Sequence, residues 1–166
     1  GYFASCLTNI YTCPVPVIGA INGAAVGAGF CIASVCDVLV AAEGARFGLT
    51  EMKVGVLGGL AFLPGMVPQK LGKYMTLTGN LIPAEKLENY GSVHSVVPKD
   101  RLMAEAERVA EEIMQCPPLA LQAWKKSYQY IDHITDLFIL DLQETEDSRE
   151  AVRAFLEKRK PVYRGK

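Results

Sequence analysis

Charge is missing from the first 36 of the 166 residues: Asp37 is the first ionisable acid, and no Lys or Arg precedes it. A secretory signal opens on basic residues, so none is expected here. Val15–Cys36 reaches the ~20 residues that cross a bilayer. It also holds Asn22, Ser34 and four glycines (Gly19, Gly23, Gly27, Gly29) and lacks the basic flanks that orient a span. The expectation is a buried strand, a glycine turn and a buried helix, with no membrane span. An uncharged opening of this length is unusual for a whole domain, so a preceding segment is expected to cover it. Histidine is scarce, at His94 and His133 only, and the five cysteines (Cys6, Cys13, Cys31, Cys36, Cys116) form no C-x-x-C pair. Neither a metal site nor a disulfide scaffold is expected. Reduced thiols fit a cytoplasmic or mitochondrial-matrix protein. The net charge of −1 provides no basic field for nucleic acid, and no repeat of solenoid period is present.

What is present supports a packed domain, or part of a larger one: half the residues are apolar and 21% are charged. Apolar runs at Val15–Ile21, Val38–Ala42, Ala45–Gly48 and Val93–Val97 read as strands. Ala24–Cys36 reads as a tightly packed helix after the Asn22-Gly23 turn. Thr50–Gly59 mixes glycine and charge and reads as a functional loop or short helical turn. Helices are expected at Lys73–Thr78, ending at Gly79, and at Pro83–Tyr90, ending at Gly91. Asp100 is a candidate N-cap for a helix running to Gln115. Further helices are expected at Leu119–Ile131, with Leu121, Trp124 and Tyr128 on a core stripe, then at Ile134–Leu142 and Ser148–Lys158. Strands come first and helices alone follow, which predicts an α/β fold with a helical C-terminal layer.

The chemistry concentrates between residues 18 and 59. A strand, a run of small residues and a helix start leave backbone N–H groups free to hold an oxyanion. Gly27-x-Gly29 is not a dinucleotide fingerprint, because position 32 is Ile and no acidic ribose partner follows. Ile18–Asp37, with its Asn-Gly, small residues and Cys36-Asp37 end, resembles the signature of the enoyl-CoA hydratase/isomerase (crotonase) superfamily. Ala45–Gly55 resembles its second signature, in which Phe leads to a Glu followed four residues later by Gly. Gly58-Gly59, Leu77-Thr78-Gly79, Ala84-Glu85-Lys86, Gly91-Ser92-Val93 and Phe155–Arg159 continue the likeness in order along nearly the whole chain.

The resemblance implies a partial crotonase-like ββα spiral core over residues 1–98 and a helical trimerisation and CoA-contact region over 99–166. It implies an acyl-CoA substrate, with coenzyme A as part of the substrate and no other cofactor, and assembly as a homotrimer or hexamer. The thioester enolate would be held by two backbone N–H groups. One maps to Ala28, where the family usually has Gly, and the other belongs to an upstream segment absent from this chain. Gly59 would lie beside the substrate. Hydration in this family uses two glutamates twenty residues apart. The second maps to Glu51, but the first maps to Cys31. A thiol is a poor holder of water, so an isomerase-type proton shift by Glu51 alone is favoured over two-carboxylate hydration. Glu51 is expected to lose solvation among Leu49, Val54, Val56 and Leu57. Lys158, one of five basic residues in the last nine, is the candidate contact to the CoA phosphates. Asp37 reads as a structural cap, and His94 and His133 as structural or exposed. A non-catalytic paralogue that keeps the fold and acts as a binding partner is the rival of another class.

Overall fold

The computed structural model describes residues 1–129, 146–162 and 164. Two compact units divide the chain after Lys125.

The first unit begins with helix α1 (Tyr2–Tyr11), a stretch for which the sequence suggested no element. Strands β1 (Ile18–Ile21) and β2 (Ala24–Val26) follow, separated by Asn22-Gly23. Helix α2 (Ala28–Ser34) is shorter than the helix expected from residue 24. The reason lies in Gly27, whose φ of 56° and ψ of −116° no helix accommodates. The small residues before it satisfy their backbone in a ladder instead. β3 (Val38–Ala42) and β4 (Arg46–Gly48) come next. β1 pairs parallel with β3, and β2 pairs parallel with β4. The chain thus completes one ββα turn and lays the next turn on it. β6 (Ser95–Val97) extends the first sheet to the order β1-β3-β6, and β5 (Ile82–Pro83) extends the second to β2-β4-β5.

Between β4 and β5 lie two single-turn 3-10 helices, at Glu51–Val54 and Leu60–Phe62, and helix α3 (Gln69–Thr78). α4 (Ala84–Asn89) precedes β6, and α5 (Leu102–Ile113) packs on β1 and β3. Asp100 does not cap α5: it lies in a 3-10 turn, Lys99–Arg101, that feeds the helix directly. The main core gathers Phe30, Phe47, Leu49, Met75 and Leu87, all 2% exposed or less. Side chains of this size contribute about 1.5–3 kcal/mol each on full burial. A second cluster joins Val40 and Ala42 to Leu102, Ala106 and Val109 of α5. The uncharged opening is therefore divided among four short elements, and no described helix is long and apolar enough to cross a membrane.

Residues 118–129 are helical, α6. The expected core stripe is reversed here. Trp124 and Tyr128 are 47% and 60% exposed, while Lys125 is 3% exposed. Lys125 Nζ pairs with Asp37, whose Oδ2 also accepts the Val17 N–H at 2.7 Å. A buried partner to Asp37 outweighs aromatic burial at this position. Ile131, His133 and the helix expected over 134–142 lie outside the described residues.

The second unit contains α7 (Glu146–Leu156). Lys158 has φ of 52°, the one described non-glycine residue with positive φ. Its N–H bonds to Phe155 O and the Arg159 N–H to Ala154 O, a Schellman-type close in the position usually given to Gly. Arg159 then clasps Glu150 and Glu157, and the Val162 N–H donates to Glu150 at 3.1 Å. These contacts hold the Glu150 carboxyl down at about 2, the Arg159 guanidinium first among them.

Candidate active site

The end of β4 delivers Glu51. Gly48 closes the strand, and Glu51 opens the 3-10 turn that Gly55 ends with φ of 74°. The turn is tied by the Lys53 N–H to Thr50 O at 3.0 Å and by the Val56 N–H to Glu51 O at 3.0 Å. One carboxylate oxygen of Glu51, Oε2, is fully buried with no hydrogen-bond partner. An unsatisfied buried acceptor costs about 1–3 kcal/mol. A fold that keeps one calls for a reason beyond stability.

Two glycines make the approach possible. A Cβ on Gly27 would stand 3.2 Å from Glu51 Oε1, and one on Gly58 would stand 3.7 Å from Glu51 Cγ. The expected apolar enclosure by Val54, Val56 and Leu57 is not found: these side chains are 76%, 54% and 72% exposed. A one-turn 3-10 helix points successive side chains around its axis, so its neighbours in sequence cannot all fold over the first. Glycine backbone from two other segments does the enclosing, and only Leu49 of the expected group is buried.

Gly27 also sets the start of α2. Its N–H donates to Gly48 O at 2.9 Å, which ties it to β4, and its carbonyl accepts the Cys31 N–H at 3.1 Å. Ala28 is the exposed first residue of α2, so its N–H has no carbonyl one helical turn back. Cys31 lies one turn further on and is 4% exposed. Burial pushes its thiol up, and the negative charge of Glu51 pushes it further. Positions 31 and 51 therefore share one local environment. Gly59, with φ of 71°, caps the second 3-10 turn, and a Cβ there would overlap Leu49 Cδ2 at 2.5 Å. Its backbone is held against the core beside Gly58.

Lys158 belongs to the second compact unit, where it forms the left-handed close of α7. Asp37 caps the Val17 N–H as expected, but its pairing with Lys125 was missed. The signal for it was present: a charge at the end of an otherwise uncharged stretch needs a partner when buried. His94 is exposed.

A family model described as enoyl-CoA hydratase/isomerase matches residues 2–166. The chain is 41% identical over 161 residues to (E)-benzylidenesuccinyl-CoA hydratase of Thauera aromatica, covering 90% of this chain and 63% of that protein. It is 35% identical over 181 aligned positions to carnitinyl-CoA dehydratase of Salmonella typhi, covering 100% of this chain and 69% of that protein. Among solved structures, an enoyl-CoA hydratase from Mycobacterium tuberculosis H37Rv superposes with a TM-score of 0.68 at 42% identity, over 77% of this chain and 59% of that one. The chain thus spans about two thirds or less of the length of these proteins.

Proposed function

This chain belongs to the enoyl-CoA hydratase/isomerase family and has the crotonase fold, and from that premise we propose that it acts on an enoyl-CoA thioester through a single carboxylate, Glu51. The observation that carries the reading is the buried, unpartnered Glu51 Oε2, together with a buried thiol at position 31 that feels the Glu51 charge. One carboxylate suffices for a double-bond shift. Glu51 removes a proton from C2 of a 3-enoyl thioester, and the electron pair moves onto the thioester oxygen. The Ala28 N–H stabilises that oxyanion together with a donor from outside this chain. A preorganised donor of this kind contributes roughly 2.7–4 kcal/mol to the transition state. Glu51 returns the proton at C4, and the double bond ends between C2 and C3. Lys158 is assigned to the CoA phosphates.

Hydration is the second reading. It is favoured by the named relatives, one a hydratase and one a dehydratase. A direct comparison separates the two. The full-length protein is given a 3-enoyl-CoA and a 2-enoyl-CoA, and the conjugated chromophore is followed by ultraviolet absorbance. Isomerisation makes it appear from the first substrate, and hydration makes it disappear from the second. Hydration faster than isomerisation would overturn the single-carboxylate reading. On that reading Cys31→Glu raises hydration relative to isomerisation, and an unchanged product ratio would remove position 31 from the site. A protein that neither turns over nor binds any acyl-CoA would be the non-catalytic paralogue.

A further inference from the structure

Glu51 is bracketed in sequence by two close contacts to one distant segment, the connector between α3 and β5. Three residues before it, Gly48 presents a notch: a Cβ there would stand 2.6 Å from Leu81 Cδ2. Two residues after it, the Lys53 stem lies across Gly79. A Cβ on Gly79 would stand 2.7 Å from Lys53 Cε, 2.9 Å from Cγ and 3.0 Å from Cδ. Gly79 is buried and caps α3 with φ of 61° and ψ of 24°. The connector is fixed to its own helix. Thr78 Oγ1 donates to Tyr74 O at 2.7 Å, the Asn80 N–H donates to Thr78 Oγ1 at 3.2 Å, and Asn80 Nδ2 donates to the Tyr74 hydroxyl at 3.1 Å. Ile82 then pairs with Phe47 in the β4–β5 ladder.

We propose that Gly79, Leu81 and Lys53 are positioning residues that set the Glu51 turn against the connector, so that the carboxylate meets Gly27 and Gly58 in one register. The proposal rests on Glu51 being the acid/base. Its physical content is steric. The 3-10 turn around Glu51 is a single turn with exposed apolar side chains, so its own packing holds it weakly. The fit of Leu81 into the Gly48 notch stops the turn from sliding along β4. The Lys53 stem, seated over the capping glycine, stops it from lifting off α3. The contact at Lys53 Cγ lies near the root of the side chain, so a side chain at position 79 displaces the whole Lys53 stem and not the ammonium end alone.

The test uses Gly79→Asn, since Asn tolerates positive φ while carrying a Cβ. In the full-length protein this variant is expected to fold and to lose roughly tenfold to 10²-fold in turnover, the scale of a misplacement of up to about 1 Å. Its dissociation constant for an acyl-CoA should stay within about twofold, because neither position 79 nor position 53 is assigned a donor to the thioester or the phosphates. Lys53→Ala empties the space. The double variant should therefore match Lys53→Ala alone, which loses only a few-fold, and this non-additivity is the signature of one contact. Turnover of Gly79→Asn equal to the parent, or a loss that Lys53→Ala does not relieve, would overturn the proposal. A second readout is independent of chemistry. The carbon-13 carboxyl signal of Glu51, assigned with Glu51→Gln, should shift in Gly79→Asn and return in the double variant. An unmoved signal refutes the positioning role. Retained turnover in Glu51→Gln would instead refute the assignment of the base and leave the carbon signal to decide the positioning.

Discussion

Gly27→Ala tests the geometry of the site at its most constrained point. At φ of 56° and ψ of −116°, position 27 sits where a Cβ is strongly disfavoured. Conformations of this kind cost about 1–3 kcal/mol for other residues. The new methyl would also stand 3.2 Å from Glu51 Oε1, so the carboxylate must retreat by a few tenths of an ångström. If the backbone relaxes instead, the 27–28 peptide plane rotates and the Ala28 N–H turns with it. Either response disturbs the base or the donor. The expected outcome is a stability loss of about 1–3 kcal/mol in urea unfolding, or roughly 2–4 °C in Tm per kcal/mol for a chain of this size. Turnover should fall by about 10²-fold. Gly44→Ala is the control: its φ is 79°, but nothing lies within 4 Å of an added Cβ. It should show backbone strain and unchanged turnover. If Gly27→Ala costs no more than Gly44→Ala in both assays, the close approach to Glu51 has no role and the site geometry proposed above is wrong.

Glu51→Gln should cut turnover by roughly 10²–10⁴-fold while leaving acyl-CoA affinity nearly intact, read by steady-state kinetics and titration calorimetry; turnover within a few-fold of the parent would make Glu51 a bystander. Lys125→Ala should destabilise by about 3–5 kcal/mol, because it leaves Asp37 buried without its cation, and Asp37→Asn with Lys125→Met should recover much of that loss in denaturant melts. Glu105 is held down from 4.5 to about 2, chiefly by its bond to Arg108 and then by Ser95. Its folded value is the lower one, so its stabilisation is complete above pH 4.5 and disappears as the pH falls toward 2. Glu105→Gln should flatten the stability-versus-pH curve in that window, and an unchanged slope would show that the pair is not formed in solution.

β3, β4 and β6 were legible because each is a short apolar run closed by a turn residue, whereas the two-residue β5, which includes the proline read as a helix start, was not. Glycine stops at 79 and 91 were legible for the same local reason. The segment 24–36 was not, because small residues suit a close-packed helix and a strand equally, and the decision rests on the Gly27 dihedral and a parallel partner more than twenty residues away. Glu51 stood out through its motif. Its surroundings did not, since they come from Gly27 and Gly58 rather than from its apolar sequence neighbours. Lys125 was hidden by helical periodicity: Trp124 and Tyr128 carry the stronger apolar signal, yet burial follows the anchored charge of Asp37.

The stacking of one chain turn on the next makes the fold count residues. Ile18 pairs with Val38 at a spacing of twenty, and Ala24 pairs with Arg46 at a spacing of twenty-two. The corner between β3 and β4 has therefore already absorbed two residues more than the Asn22-Gly23 corner beneath it. It did so at Glu43 and Gly44, which are exposed, without disturbing either ladder. That corner is the natural place for length variation among homologues and for a grafted peptide or tag. Between Ala24 and Glu51 elsewhere, a single inserted residue must be looped out or it carries position 31 away from position 51.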